Sequence, residues 1–249
     1  LQIRRAAGRI KVLEGLLRER PVRGSIGIGH TRWATHGRPT DENAHPHTDG
    51  SGSLVVVHNG IIENYLPIKE RLQAEGHRFT SDTDTEVIAH LIERHLVDTP
   101  RLDEAVRRAL RELRGSYAIV VLSKNAPDRL VAAKQGAGSV VVGLGQDETF
   151  LASDIPAILA HTRDVVILED EDLAVVTRHG VEISHLDGAP VERAPVRIQW
   201  DPILAEKGGY RHFMLKEIYE QPRAAADTLR GRVQPEGGTV VLADIGLDR

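Results

Sequence analysis

Residues 30 to 37 read His-Thr-Arg-Trp-Ala-Thr-His-Gly, which packs a guanidinium, two hydroxyls and two imidazoles into one short stretch. Arginine's planar fork meets a carboxylate through two parallel charge-assisted hydrogen bonds, and nearby hydroxyls can serve the remaining lone pairs, a set suited to an amino-acid ligand. The same residues also fit a solvated surface arginine beside a packing tryptophan, and composition alone leaves both readings open. A second candidate is Asn59-Gly60, whose default reading is a type I′ hairpin turn. Ile61 to Gln73 has a helical period, however, so the pair is expected to turn a strand ending at His58 into a helix. Backbone N–H groups left free there, beside an asparagine amide, can form an oxyanion hole for a tetrahedral acyl intermediate. The third candidate is Ser81-Asp82-Thr83-Asp84-Thr85-Glu86. Thr83 and Glu86 fit a helix capping box, and Asp84 is a surplus carboxylate able to pair with a substrate ammonium.

Five of the twelve histidines, His30, His36, His45, His47 and His58, cluster in the same region. They lack the i, i+4 helical pairing of a hydrolase zinc helix, and loop or strand-end histidines more often act as hydrogen-bonding groups, so no metal is expected there. The glycines from Gly136 to Gly145 are not followed by Gly-Lys-Ser/Thr and are expected to serve turns.

These groups need a scaffold. Ile3, Ala6, Ile10, Leu13 and Leu17 predict a first amphipathic helix up to the break at Pro21. Ile26 and Ile28 alternate with glycines and predict a short strand, and Leu54 to His58 predicts another. Three further helices follow, over Ile61–Gln73, around Val87–Leu96 and over Leu102–Leu113. After Gly115 the pattern changes to β-branched runs at Tyr117–Leu122, Leu130–Ala133, Val140–Val142, Val165–Leu168 and Leu173–Thr177. Grouped helices and antiparallel-looking strands predict a layered α+β fold rather than a doubly wound parallel sheet. Residues 201–209 carry the Pro and Gly of a linker.

The bulk properties narrow the function further. The 249 residues are 41% apolar and 27% charged, with formal charge −4. No apolar run is long enough to span a membrane, and Lys and Arg form no stripe that could track nucleic-acid phosphates, so small molecules are the expected partners. The chain contains no cysteine, which removes disulfides, cysteine zinc sites and thiol chemistry from these residues. Leu1 begins a charged amphipathic pattern rather than a signal peptide, and the true N-terminus is expected to lie upstream.

Taken together, His30 to Gly37, Asn43-Ala44-His45-Pro46-His47, His58 to Asn64, Thr83 to Glu86 and Tyr210 to Pro222 resemble the glutaminase domain of the isomerising glutamine:fructose-6-phosphate aminotransferases, or glucosamine-6-phosphate synthases. These belong to the class II amidotransferases with an N-terminal nucleophile. The first four motifs are shared more loosely by other such amidotransferases, whereas the last resembles the synthase's connection to its isomerase half. The resemblance implies a four-layer αββα sandwich lacking its first strand and helix. It also implies a glutaminase domain over 1–200, and a connector with the start of the sugar-phosphate isomerase half over 201–249. By resemblance Arg32, Thr35 and His36 bind the glutamine α-carboxylate, Asp84 receives the α-ammonium, Asn59 and Gly60 hold the oxyanion, and Trp33 borders the ammonia route. The family's nucleophile is the thiol of a mature N-terminal cysteine whose own α-amino group assists proton transfer. That cysteine is expected within roughly forty residues upstream of Leu1. The resemblance further implies L-glutamine as substrate, no metal or organic cofactor, a cytoplasmic homodimer when complete, and an inactive fragment as it stands.

Two alternatives remain. One is the glutaminase half of another amidotransferase, such as amidophosphoribosyltransferase, against which the connector argues. The other is a non-catalytic glutamine-binding module.

Overall fold

The computed structural model describes residues 1–32, 37–199, 209–229, 233–234 and 239–240. The chain divides into two compact units, Leu1–Ile198 and Gln199–Arg249.

In the first unit, α1 (Ile10–Glu19) is followed by β1 (His47–Thr48), β2 (Leu54–Ile62), α2 (Tyr65–Ala74), α3 (Glu86–Leu96) and α4 (Leu102–Glu112). Strands then dominate: β3 (Gly115–Ser123), β4 (Ala126–Gln135), β5 (Val141–Leu144), β6 (Thr149–Ala152), β7 (Asp164–Ile167), β8 (Asp172–Thr177), β9 (Gly180–His185), β10 (Pro190–Val191) and β11 (Val196–Arg197). One sheet has the order β1-β2-β3-β4-β8-β9-β10 and the other β11-β7-β5-β6, with every pairing antiparallel.

Period-two alternation along β2 and β3 sorts the side chains between two cores. Leu54, Val56 and Ile62 join Ile119 and Val121 under the helical residues Ile88, Leu91, Ile92, Val106 and Leu110. On the opposite face Ala118, Ala132, Ala174 and Val176 meet Val142 and Val166 of the second sheet and Leu168 just after β7. Small alanines there let the two sheets approach, while the helical side takes the larger side chains. The outer face of the second sheet is covered by Ile158, Leu159 and Ile198 beside the 3-10 turn Ile155–Ala157.

Three expectations need correction. The first helix begins at Ile10 rather than near Ile3, and it buries no side chain: Ile10 is 63% exposed. Residues 26–28 form no strand, because among the described residues no neighbouring strand supplies a ladder to that segment. Asn59-Gly60 does not end a strand; β2 runs on to Ile62, paired with β3 residue by residue down to Gly115, and the chain turns at Glu63-Asn64 instead. The cross-strand ladder outweighed the local helical period at Ile61 and Ile62. The five predicted β-branched runs all fall on strands, with Val140 and Leu168 one residue beyond the ends of theirs, while β6 and β9, with weaker apolar patterns, are found only in the structure.

The second unit contains α5 (Phe213–Leu229), with Pro222 inside it, and a two-stranded ribbon of β12 (Val233–Gln234) and β13 (Thr239–Val240). Apart from Gly209, the predicted linker lies outside the described residues.

Candidate functional site

The site is built where β2 outruns its short neighbour. β1 pairs with only Val55 and Val56, so beyond those residues one edge of β2 has no strand alongside it among the described residues. The Leu54 N–H donates to Asp49 Oδ1 at 3.0 Å and the Ile62 N–H to Asp84 Oδ2 at 2.8 Å. Both bonds leave on the side away from β3, and strand alternation puts the Gly60 N–H on that same open edge. Gly60 has φ +134°, and a Cβ there would lie 2.1 Å from the Ser116 backbone oxygen. Only glycine allows the strand this curvature beside β3.

Asn59 Oδ1 lies 2.8 Å from His30 Nε2. Burial lowers the pKa of His30 despite its hydrogen bonds to Asn59 and the His58 backbone, so the ring is neutral and Nε2–H is the donor. With Oδ1 so engaged, the Asn59 amide is oriented to present its N–H groups outward. Two neighbouring residues thus offer donors at one exposed strand edge, the kind of group that can stabilise a developing oxyanion.

Asp84 is buried and fixed to the end of β2 by the Ile62 N–H. The expected capping box does not form. Glu86 instead accepts from the backbone N–H and hydroxyl of both Thr80 and Ser81, at 2.6 to 2.9 Å. Burial raises the pKa of its carboxyl, but the neighbouring His90, followed by those bonds from Ser81 and Thr80, outweighs it and holds the group at about 2. Thr83 turns its hydroxyl to Ser81 and to His47 Nε2, at 3.0 and 3.1 Å. A strong acceptor drawn back over the preceding turn fixes the 80–86 segment more firmly than a single cap bond.

Thr85, given no role from sequence, joins the histidines. Its Oγ1 lies 3.2 Å from His45 Nε2 and 3.0 Å from His58 Nδ1. His30 and His45 rings approach to 4.1 Å between centroids, and His45 and His47 to 5.0 Å. Burial, followed by the mutual repulsion of these rings and Arg32, pushes His45 down to about 2. Burial also takes His47 down to about 4, against the pull of Glu86. His58 is lowered chiefly by burial as well. The cluster is therefore a neutral hydrogen-bonding lattice at ordinary pH. Among the described residues these histidines form no set of three converging metal ligands.

Arg32 donates from Nη1 to the Arg38 carbonyl at 3.0 Å and from Nη2 to the Gly37 carbonyl at 3.2 Å, so part of its fork shapes the adjoining loop. Asn43 closes that loop onto the Asp84 segment: its Oδ1 accepts from the Asp82 N–H at 2.9 Å and its Nδ2 donates to the Arg38 carbonyl at 3.0 Å. Nothing in periodicity marked Asn43, because its role rests on a partner 39 residues away. Trp33, Thr35 and His36 lie outside the described residues. A cavity of about 1380 Å³ borders His30, Arg32 and His45 and extends over residues 1–29 to Val55 and Leu122.

The two antiparallel sheets with flanking helices are shared with solved amidotransferases of the N-terminal-nucleophile fold. One is the glutamine phosphoribosylpyrophosphate amidotransferase from B. subtilis complexed with ADP and GMP, 26% identical with a TM-score of 0.54 over 63% of this chain and 34% of that one. Another, described as the allosteric regulatory enzyme of purine biosynthesis, gives 25% and 0.55 over 63% and 34%. The family model of the glutamine amidotransferase domain matches residues 30–160, and the chain belongs to that family. Among named relatives, the isomerising glutamine–fructose-6-phosphate aminotransferase of Thermus thermophilus is 52% identical over 97% of this chain. Those of Aquifex aeolicus and Methanothermobacter thermautotrophicus are each 50% identical, over 95% and 92%. The chain spans 38 to 39% of the length of these three relatives.

Proposed function

We propose that this chain is the glutamine-hydrolysing part of an isomerising glutamine:fructose-6-phosphate aminotransferase, supplying ammonia for the conversion of fructose 6-phosphate to glucosamine 6-phosphate. The observation that carries the reading is the strand edge at Asn59-Gly60 with Asp84 fixed beside it, in a chain 52% identical to an aminotransferase of that name. The amidophosphoribosyltransferase alternative is weaker, since identity to the solved phosphoribosylpyrophosphate enzyme is 26%.

In this reading Arg32, with Thr35 and His36, holds the glutamine α-carboxylate, and Asp84 takes the α-ammonium. A thiolate attacks the side-chain amide carbon, and the oxygen that gains charge is met by the Asn59 amide and the Gly60 N–H. Ammonia leaves along a route bordered by Trp33, and water cleaves the thioester to glutamate. The nucleophile is a cysteine from a segment preceding Leu1, because these 249 residues contain none. Residues 1–200 form the glutaminase domain, and 201–249 lead towards a sugar-phosphate isomerase domain. The complete protein is a cytoplasmic homodimer needing no cofactor for this half-reaction; among the described residues no helix is long and apolar enough to cross a membrane.

The test is glutamate release from three forms of the protein. The 249-residue chain should release none, a form extended upstream to a processed N-terminal cysteine should be active, and one extra residue before that cysteine should abolish activity by converting the amine to an amide. Equal rates from all three forms would overturn the mechanism. Fructose 6-phosphate-dependent glucosamine 6-phosphate formation by the complete protein tests the acceptor.

A further inference from the structure

Away from the strand edge, three side chains converge in a way the proposed reaction does not use. His90 and Glu93 lie one turn apart on α3, and His77 reaches them from the loop that follows α2. His77 Nδ1 lies 3.3 Å from His90 Nδ1, and each of these nitrogens lies 3.1 Å from Glu93 Oε2. The three atoms form a nearly equilateral triangle. An ion bound tetrahedrally at zinc–nitrogen or zinc–oxygen distances of about 2.0 to 2.1 Å has ligand atoms about 3.3 to 3.4 Å apart, so the triangle already has the size of one face of that tetrahedron.

We infer that His77 Nδ1, His90 Nδ1 and Glu93 Oε2 form a binding site for a borderline divalent transition-metal ion, zinc above all. Two imidazole nitrogens turned towards each other at this separation cannot both present protons, and a cation that takes both lone pairs and the carboxylate resolves the conflict.

The surroundings match. His90 is 1% exposed, with its ring against Phe79 at 4.5 Å between centroids, so its orientation is fixed by packing. Its Nε2 is buried without a hydrogen bond and lies 3.8 Å from Glu86 Oε1. A carboxylate behind the far nitrogen of a ligating imidazole selects the tautomer that leaves Nδ1 for the metal. Glu93 Oε2 also accepts the Gly50 N–H at 3.1 Å, which aims the carboxylate. His77 and Glu93 keep partial exposure, 17% and 24% of their side chains, leaving an entry path and a fourth position for water. An ion here ties the α2–α3 loop and the β1–β2 turn to α3, the helix whose N-terminal approach carries Asp84 and Thr85. Its role is to brace that segment rather than to react.

The competing arrangement is a protonated His90 held between Glu86 and Glu93, with no affinity for metal. Titration of the metal-stripped 249-residue chain with cobalt(II) separates the two. One equivalent should give the intense visible d–d absorption of four-coordinate cobalt, and zinc should displace it. Zinc at a hundredfold its Kd should raise Tm by about 5 to 10 °C. His77→Gln and Glu93→Gln should each abolish the absorption, whereas His45→Asn, in the neighbouring histidine cluster, should not. In the unaltered chain, zinc should shift the ring ¹⁵N resonances of His77 and His90 and leave those of the other histidines in place, a readout that needs no variant to fold. The proposal is overturned by the absence of stoichiometric cobalt binding, by absorption that survives both substitutions, or by shifts at His30, His45, His47 or His58 instead.

Discussion

Gly60 and Gly180 allow one contribution to the site to be measured separately from another. Their φ angles are nearly alike, +134° and +138°, but a Cβ at Gly180 meets nothing within 4 Å. A Cβ at Gly60 falls 2.1 Å from the Ser116 carbonyl oxygen, 2.8 Å from its carbon and 3.0 Å from His58 Nε2. Gly180→Ala therefore reports the dihedral cost alone, about 1 to 3 kcal/mol, less about 0.4 to 1 kcal/mol recovered from the stiffer unfolded chain. Gly60→Ala carries the same two terms. In addition it forces roughly 1 Å of displacement between β2 and β3, whose carbonyl cannot swing aside as a side chain would. Overpacking of that kind adds about 1 to 3 kcal/mol. For a domain of this size each kcal/mol moves Tm by about 2 to 4 °C, so Gly60→Ala should melt about 2 to 12 °C below Gly180→Ala. Differential scanning calorimetry of the two variants and the parent chain measures the difference. Equal shifts would show that the strand edge yields to a methyl group, and the steric requirement for glycine at this position would be wrong.

On the proposed function, Arg32→Lys in the complete protein should weaken glutamine use about ten- to a hundredfold while sparing ammonia-driven synthesis, since a point charge would replace a fork that holds the α-carboxylate; unchanged glutamine kinetics would remove Arg32 from the site. Asn59→Ala should lower kcat about 10² to 10³-fold with little change in KM, because an oxyanion donor acts after attack; a defect confined to KM would contradict that role. Stability should also fall with acid. His45 and His47 have folded pKa values of about 2 and about 4, below the ordinary 6.5, so the unfolded chain binds more protons as pH drops below 6.5. The stability associated with their neutral state is fully present above that value and is lost as pH falls, towards pH 4 for His47 and on towards pH 2 for His45, on the order of 1 kcal/mol per pH unit for each ring. The charged or titratable groups facing them are His30, His58 and Arg32, with Arg5 and Glu86 beside His47. A Tm that is flat between pH 7 and 5 would show that these rings are already charged or solvated.

The sequence by itself determined the element types wherever a period ran long enough to bury one face: three helices between residues 61 and 113, and the β-branched strands after Gly115. It also determined which short motifs carry donors and charges, because the residue types in Asn59-Gly60 and Asp84 are chemically unambiguous. Only the tertiary structure decided where those motifs point. The end of β2 was set by its ladder to β3, not by the local period, and that ladder places the Gly60 N–H on an open edge. Glu86 went to Thr80 and Ser81 instead of capping α3, and Thr85 became the bridge between His45 and His58. Asn43, His77 and Glu93 gained their places from partners 13 to 43 residues distant in the chain. Local periodicity records which face of an element is buried. It holds no information about which polar group lies across the gap, and for a buried donor or acceptor the identity of that partner decides the free energy.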